Sequence, residues 1–171
     1  MKTALLVTGA QKWSLNEHTK EVPPRIAAFI RSGKRKFDFV LFSRYVFSED
    51  SPFARVIRQP QFIKPEHTDI MPELASIAAD GKVFVRHTFS DFKNPAFVGF
   101  LNKNLISRLY VCGFETDGCV LADALEAFDR GLEVYVIGDL CASRHGREYN
   151  ERALEIIGRN MKGALVNSEK L

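Results

Sequence analysis

Short apolar runs rich in β-branched, Leu and Phe residues alternate along this chain with segments of helical periodicity, and that alternation most restricts the folds open to it. The runs fall at Ala4–Thr8, Phe37–Phe42, Lys82–Val85, Ser107–Cys112, Glu133–Ile137 and Gly163–Val166. They read as strands buried on both faces. Helical patterns lie between most of them, at about Arg25–Arg31, Met71–Ala79, Pro95–Lys103, Cys119–Arg130 and Glu148–Gly158. Strands that run parallel need crossovers long enough to hold a helix, so the pattern predicts an α/β chain. The expected architecture is a three-layer α/β/α sandwich around a six-stranded parallel sheet, Rossmann-like in its winding. With 171 residues and neither a linker nor a repeat, a single domain over 1–171 is expected.

Charge and cysteine usage narrow the function classes. Lys and Arg total 24 against 21 Asp and Glu, and a net charge of +3 is too small to imply a nucleic-acid or membrane partner. The cluster Lys34-Arg35-Lys36 follows a helix-like segment and reads as a solvated helix end. The opening Met1-Lys2-Thr3 is not expected to begin a signal peptide, and no apolar run approaches membrane-spanning length. Three cysteines without paired spacing fit a reducing cytoplasm better than a disulfide framework, and they lack the spacing of a zinc site.

Ligands of parallel sheets collect at the carboxyl ends of the strands. Those ends carry Gly9 to Trp13, Arg86 to Phe92, Gly113 to Cys119, and Gly138 to Cys141. The run Gly113-Phe114-Glu115-Thr116-Asp117-Gly118-Cys119-Val120 stands out among them. A cysteine in the first turn of a helix sits among unpaired N–H groups at the positive dipole end, which favours the reactive thiolate. Leu121, Ala124, Leu125 and Phe128 mark the apolar stripe of that helix, and Gly131 is placed to stop it. The other reading of Cys119 is a small buried hydrophobe. Ser43–Thr68, rich in Arg, Pro, Phe and Ser without periodicity, is long enough to be a functional loop.

Several motifs taken in order resemble the isochorismatase-like cysteine hydrolases, which include nicotinamidases and carbamoyl-amide hydrolases. They are Ala4-Leu5-Leu6-Val7 ahead of Gln11, Arg86-x-x-x-Ser90-x-Phe92, Gly113-x-x-Thr116-Asp117-x-Cys119-Val120, Ala127-Phe128-Asp129-Arg130-Gly131-x-x-Val134 and Asp139-x-Cys141-Ala142-Ser143. The resemblance covers nearly the whole chain. It implies the same six-stranded fold, a Cys119 nucleophile, a cis peptide between Phe114 and Glu115, and an oxyanion hole from the Glu115 and Cys119 amides. It also implies a small-molecule substrate lined by Gly9, Gln11, Trp13 and Phe114, and a homo-oligomer.

The departures from the family pattern are as informative. The family's catalytic Asp and Lys fall on Gly9 and Arg86 here. Glycine carries no proton, and arginine is too basic to exchange one near neutrality. Ser43-Arg44-Tyr45-Val46-Phe47 lacks the Asp and His of the family metal site, so neither a metal nor another cofactor is expected. Cys119 beside Arg86, with no neighbouring Asp carboxylate, is expected to be largely thiolate. Glu115 either turns inward to replace the missing acid or points to solvent or to Arg86. His87 reads as a structural histidine on the face opposite Arg86, and Cys112 and Cys141 as core thiols. If the fold aims Gly9 at Cys119, Gly9→Asp with Arg86→Lys restores the family's acid, cation and thiol, unless the glycine serves close backbone approach or positive φ. Two readings of function follow. One is a hydrolase of a small amide, ester or thioester; the other is a catalytically silent binding or assembly protein. Cleavage of a vinyl ether, which in the family relies on the Asp, fits less well.

Overall fold

The computed structural model describes residues 1–33, 35–57 and 64–171, so Lys34 of the basic cluster and residues 58–63 of the long segment lie outside it. Six strands are formed: β1 (Lys2–Thr8), β2 (Phe39–Tyr45), β3 (Lys82–Arg86), β4 (Ile106–Phe114), β5 (Glu133–Ala142) and β6 (Leu165–Val166). They make one sheet in the order β3-β2-β1-β4-β5-β6, and every pairing is parallel. The helices are α1 (Val22–Ser32), α2 (Pro65–Thr68), α3 (Pro72–Asp80), α4 (Pro95–Lys103), α5 (Leu121–Asp129) and α6 (Arg147–Asn160). α1 packs on α3, and α5 on α6. Right-handed crossovers wound in two directions from the sheet centre put these pairs on opposite faces.

The central strands are buried on both sides, as their unbroken apolar runs require. Leu5, Leu6, Val7, Leu109 and Val111 are fully excluded from solvent. Several boundaries move from those the sequence predicts, for local reasons. β2 begins at Phe39 because the Asp38 carboxylate takes the Thr3 N–H at 2.7 Å and fixes the strand entrance. β5 runs on to Ala142 instead of ending at Ile137. Its interruption at Gly138-Asp139 is tolerated because Asp139 accepts from the Ser168 N–H at 2.7 Å and pairs with Arg25 at 3.2 Å. Cys119 lies not in the first turn of an α-helix but in a π-helical turn, Thr116–Val120, that leads into α5. The apolar stripe of α5 is also displaced. Ala124 is buried as expected, but Leu125 and Phe128 are exposed, and Val120, Asp123 and Ala127 complete the buried side.

β1 and β4 are neighbours from which the chain winds outward in both directions, which makes their carboxyl ends the switch point of the sheet. Two glycines let them meet there. Gly113, at φ +115°, lies so close to β1 that a Cβ would sit 2.2 Å from the Thr8 carbonyl oxygen. Gly9, at φ +62°, leaves room for a Cβ only 1.9 Å from the Phe114 carbonyl oxygen.

Candidate active site

Cys119 is set at the switch point by the turn that follows β4. The Phe114–Glu115 peptide is cis, and the Gly118 and Val120 N–H groups both donate to the Glu115 carbonyl at 3.1 Å. The Glu115 N–H faces the Cys119 sulfur. Arg86, the last residue of β3, reaches across beneath it. Its Nη2 donates to Cys119 Sγ at 2.9 Å and its Nη1 to the Thr88 carbonyl at 2.7 Å. The guanidinium is therefore fixed on both prongs of its fork.

Carboxylates stand behind this pair, where the sequence suggests none. Asp91 Oδ1 lies 3.4 Å from Arg86 Nε, with the two side chains 0% and 2% exposed. Its other oxygen accepts from the Thr8 hydroxyl at 3.0 Å and the Ser43 hydroxyl at 2.5 Å. The Asp91 N–H donates in turn to Asp123 Oδ1 at 2.6 Å. Asp123, one helical turn after Cys119, is fully buried.

These neighbours correct the expectation of a ready thiolate. Burial pushes the Cys119 thiol up to about 11, and the Asp123 and Asp91 carboxyls add to the effect, against the pull of Arg86 and the Glu115 amide. A single guanidinium is shared between the thiol and the carboxyl groups, so it does not ionise Cys119. Burial raises the other thiols as well, Cys141 to about 12 and Cys112 well above its ordinary value. Arg86 itself is held protonated: burial works against its charge, but Cys119, Asp91 and Asp123 outweigh that.

Glu115 turns neither to solvent nor to Arg86. Its Oε2 accepts from the Arg144 N–H at 2.5 Å, and Oε1 is buried without a donor among the described residues. Burial, aided by the charge of Asp117, raises its carboxyl to about 7 in spite of the Arg144 N–H and the Ser14 hydroxyl.

Cys119, Arg86 and Glu115 border one cavity of about 480 Å³, together with Gly9, Gln11, Trp13 and Phe114. The last four differ in what they can offer. The Gln11 side chain is committed to the protein: its amide donates to the Tyr45 and His67 carbonyls at 3.2 Å and its oxygen accepts the Tyr45 N–H at 2.6 Å. Trp13 forms an aromatic wall, with the Arg144 guanidinium stacked 4.2 Å above its ring. Gly9 and Phe114 contribute the tight backbone contact between β1 and β4. Phe53, from the long segment, closes the far side by packing between Tyr45 and Phe89 at 4.6 and 4.7 Å.

Sequence reasoning gives no role to Asp91, Asp123 and Phe53, and places Arg144 at the active end of the fifth strand as too isolated for a triad. A signal existed for Asp123, which falls at the helical spacing of Val120 and Ala127 and hence on the buried side. The His87 ring is held on the Val46 carbonyl at 2.7 Å, away from the cavity. The residues present do not suit a metal ion. At the end of β2 and just beyond it the chain offers Arg44, Tyr45, Val46 and Phe47, and no group of three or more His, Cys, Asp and Glu among the described residues could hold one. No described helix is long and apolar enough to cross a membrane.

Comparison with known proteins agrees with this architecture. The Isochorismatase domain family matches residues 3–168. Isochorismatase domain-containing protein 2 of Bos taurus is 28% identical over 129 residues, which is 72% of this chain and 62% of that protein. The chain thus spans less than two thirds of that relative's length. Among solved structures, an isochorismatase-like hydrolase from Alkaliphilus metalliredigens superposes with a TM-score of 0.85 at 18% identity, covering 99% of this chain and 97% of its own. An N-carbamoylsarcosine amidase from Thermoplasma acidophilum gives 0.81 at 19% identity over 100% and 99%. At such identities these structures establish the shared fold.

Proposed function

The chain belongs to the isochorismatase family, and from that premise we propose that it is a cysteine hydrolase of a small amide, ester or thioester, with Cys119 as nucleophile, Arg86 as its cation and Glu115 as proton carrier. The observation that carries the reading is the 2.9 Å contact of Arg86 Nη2 with Cys119 Sγ at the edge of a cavity that Glu115 also lines. A group titrating near 7 is suited to take the thiol proton and give one back. In the first step Cys119 Sγ bonds to the substrate carbonyl carbon while its proton passes to the Glu115 carboxylate, directly or through water. The Glu115 and Cys119 N–H groups receive the oxyanion. Collapse expels the leaving group, protonated by Glu115 if it is an amine, and water then releases the acid from the thioester. The wall formed by Trp13, Tyr45, Phe53 and Phe89 favours a flat substrate.

A panel of small amides and activated esters tests this, with Cys119→Ala as the blank. Glu115→Gln is expected to lower amide turnover by about 10²-fold or more and ester turnover much less, because an activated ester leaves without a proton. It should also remove the inflection near neutrality from the pH–rate profile. An equal loss on both substrate types would remove Glu115 from proton transfer. If no member of the panel is turned over, the silent binding or assembly reading takes its place; the space denied to a side chain at Gly9 is what favours that reading.

A homo-oligomer is part of the proposal, supported by exposed Leu125 and Phe128 on α5 and Tyr149 and Ile156 on the adjoining α6. Three free, buried cysteines suit a reducing compartment.

A further inference from the structure

Beneath the cavity, one cation faces three groups that can carry negative charge. Arg86 touches Cys119 with Nη2 at 2.9 Å and approaches Asp91 with Nε at 3.4 Å, and Asp91 is joined to Asp123. Asp91, Asp123 and Arg86 are almost completely withdrawn from water. An ionised carboxyl in such a place must be matched by charge and hydrogen bonds, or it stays protonated.

Asp91 meets that condition. One of its oxygens accepts from the Thr8 and Ser43 hydroxyls, and the other faces the guanidinium. Asp123 does not meet it. Its Oδ1 accepts the Asp91 N–H, whereas its Oδ2 is buried and finds no donor among the described residues. The Asp91 carboxyl beside it further disfavours its charge. A buried carboxyl with one oxygen unpartnered and a like charge at its side keeps its proton.

We propose that Asp91, paired with Arg86, takes up its charge while the buried Asp123 keeps its proton, so that Cys119 rests as a thiol. They are positioning residues: neither borders the cavity, and Asp91 acts on the sulfur by way of the guanidinium, while Asp123 holds the Asp91 N–H and carries no charge of its own. Among the described residues, Glu115, Arg144, His145 and the Tyr45 hydroxyl border the cavity with Cys119, and Asp117 lies in the same turn as Cys119. None of these stands between the guanidinium and the two acids. The arrangement keeps the nucleophile unreactive toward adventitious oxidants and alkylating agents, whose target is the thiolate. The inference rests on Cys119 being the reactive thiol of the proposed hydrolase, but its test needs no substrate.

The test is the pH dependence of iodoacetamide labelling at Cys119, followed by mass spectrometry on the folded full-length chain. Asp123→Asn imitates the protonated acid and should leave the labelling rate within about twofold of the original. Asp91→Asn with Asp123→Asn leaves the guanidinium to the sulfur alone, and the inflection of the profile should fall by one unit or more. Each unit raises the rate near neutrality by about threefold, after the lower nucleophilicity of a more acidic thiol is set against the tenfold gain in thiolate. A folded double variant with an unchanged inflection would overturn the proposal. Because loss of both acids could unfold the chain, infrared spectroscopy supplies a second measurement on the original protein. At about pH 9, where Glu115 is ionised, one protonated carboxyl band should remain and should vanish in Asp123→Asn. Absence of that band, or its survival in the variant, would equally refute the protonated Asp123. Failure of hydrolysis with these results intact would count against the proposed reaction and not against the charge arrangement.

Discussion

At the scale of single residues, position 9 shows how one identity can be read correctly and its consequence wrongly. The lost family carboxylate was legible from the motif, and so was the possibility that glycine serves the backbone. The structure decides for the backbone: φ is +62° and a Cβ would lie 1.9 Å from the Phe114 carbonyl oxygen. Gly9→Asp with Arg86→Lys is therefore not expected to rebuild a family site. Gly9→Asp alone should destabilise the fold by about 3 kcal/mol or more, since it combines a strained conformation with a backbone overlap that only separation of β1 and β4 relieves. Urea unfolding monitored by Trp13 fluorescence measures it. A variant as stable as the original would mean that β4 yields at Phe114, and the restored-site idea would deserve a new trial. Asp91, by contrast, was not legible. An acid between a capping Ser90 and Phe92 looks like an ordinary turn residue, and only the folded contacts with Thr8, Ser43 and Arg86 reveal its place.

At the scale of elements, the strands and most helices could be read because each is long enough for its periodicity to show. α4 is formed at the residues expected, Pro95–Lys103, where Asn94 caps the Ala96 N–H at 2.8 Å and proline occupies the first turn. The face of α5 was read less well. Leu125 and Phe128 were placed on its apolar stripe, yet they are 36% and 56% exposed, because the π turn at Thr116–Val120 changes the angular phase at which the helix starts. Their exposure gives the element a consequence. If α5 and α6 form the contact of the proposed oligomer, Phe128→Glu should yield a monomer in light scattering while leaving the melting temperature almost unaltered, as an exposed position allows. A monomer before substitution would dispose of the oligomer, and an assembly indifferent to Phe128→Glu would place its contact elsewhere.

At the scale of the whole molecule, the buried acids tie stability to pH in a definite direction. Burial raises the Glu115 carboxyl from 4.5 in the unfolded chain to about 7, and it raises Asp123 as well. Above pH 4.5 the unfolded chain has released the Glu115 proton while the folded one still holds it, so the folded state binds more protons and loses stability as pH rises. The contribution of Glu115 is complete below 4.5 and gone once pH passes about 7, a change on the order of 3 kcal/mol at most. Asp38, Glu126 and Glu133 have lowered values and act in the opposite sense, losing their contribution as pH falls through the acid range. Asp38 is exposed and Glu133 partly so, and screening by solvent keeps their effect small; Glu126 is more covered, but its partners Lys93 and Arg130 stand at the surface. The net expectation is a chain less stable at about pH 8 than at about pH 5, in contrast to the acid sensitivity that paired surface carboxylates produce. Glu115→Gln, which keeps an acceptor for the Arg144 N–H but cannot ionise, should remove the Glu115 share of that slope, which ends near pH 7, and be the more stable protein at the higher pH. Denaturant midpoints of both proteins across this range measure the effect. Parallel curves would mean that Glu115 ionises freely in the folded state, and a carboxylate of ordinary basicity would be a poor acceptor for the Cys119 proton that the amine leaving group later receives.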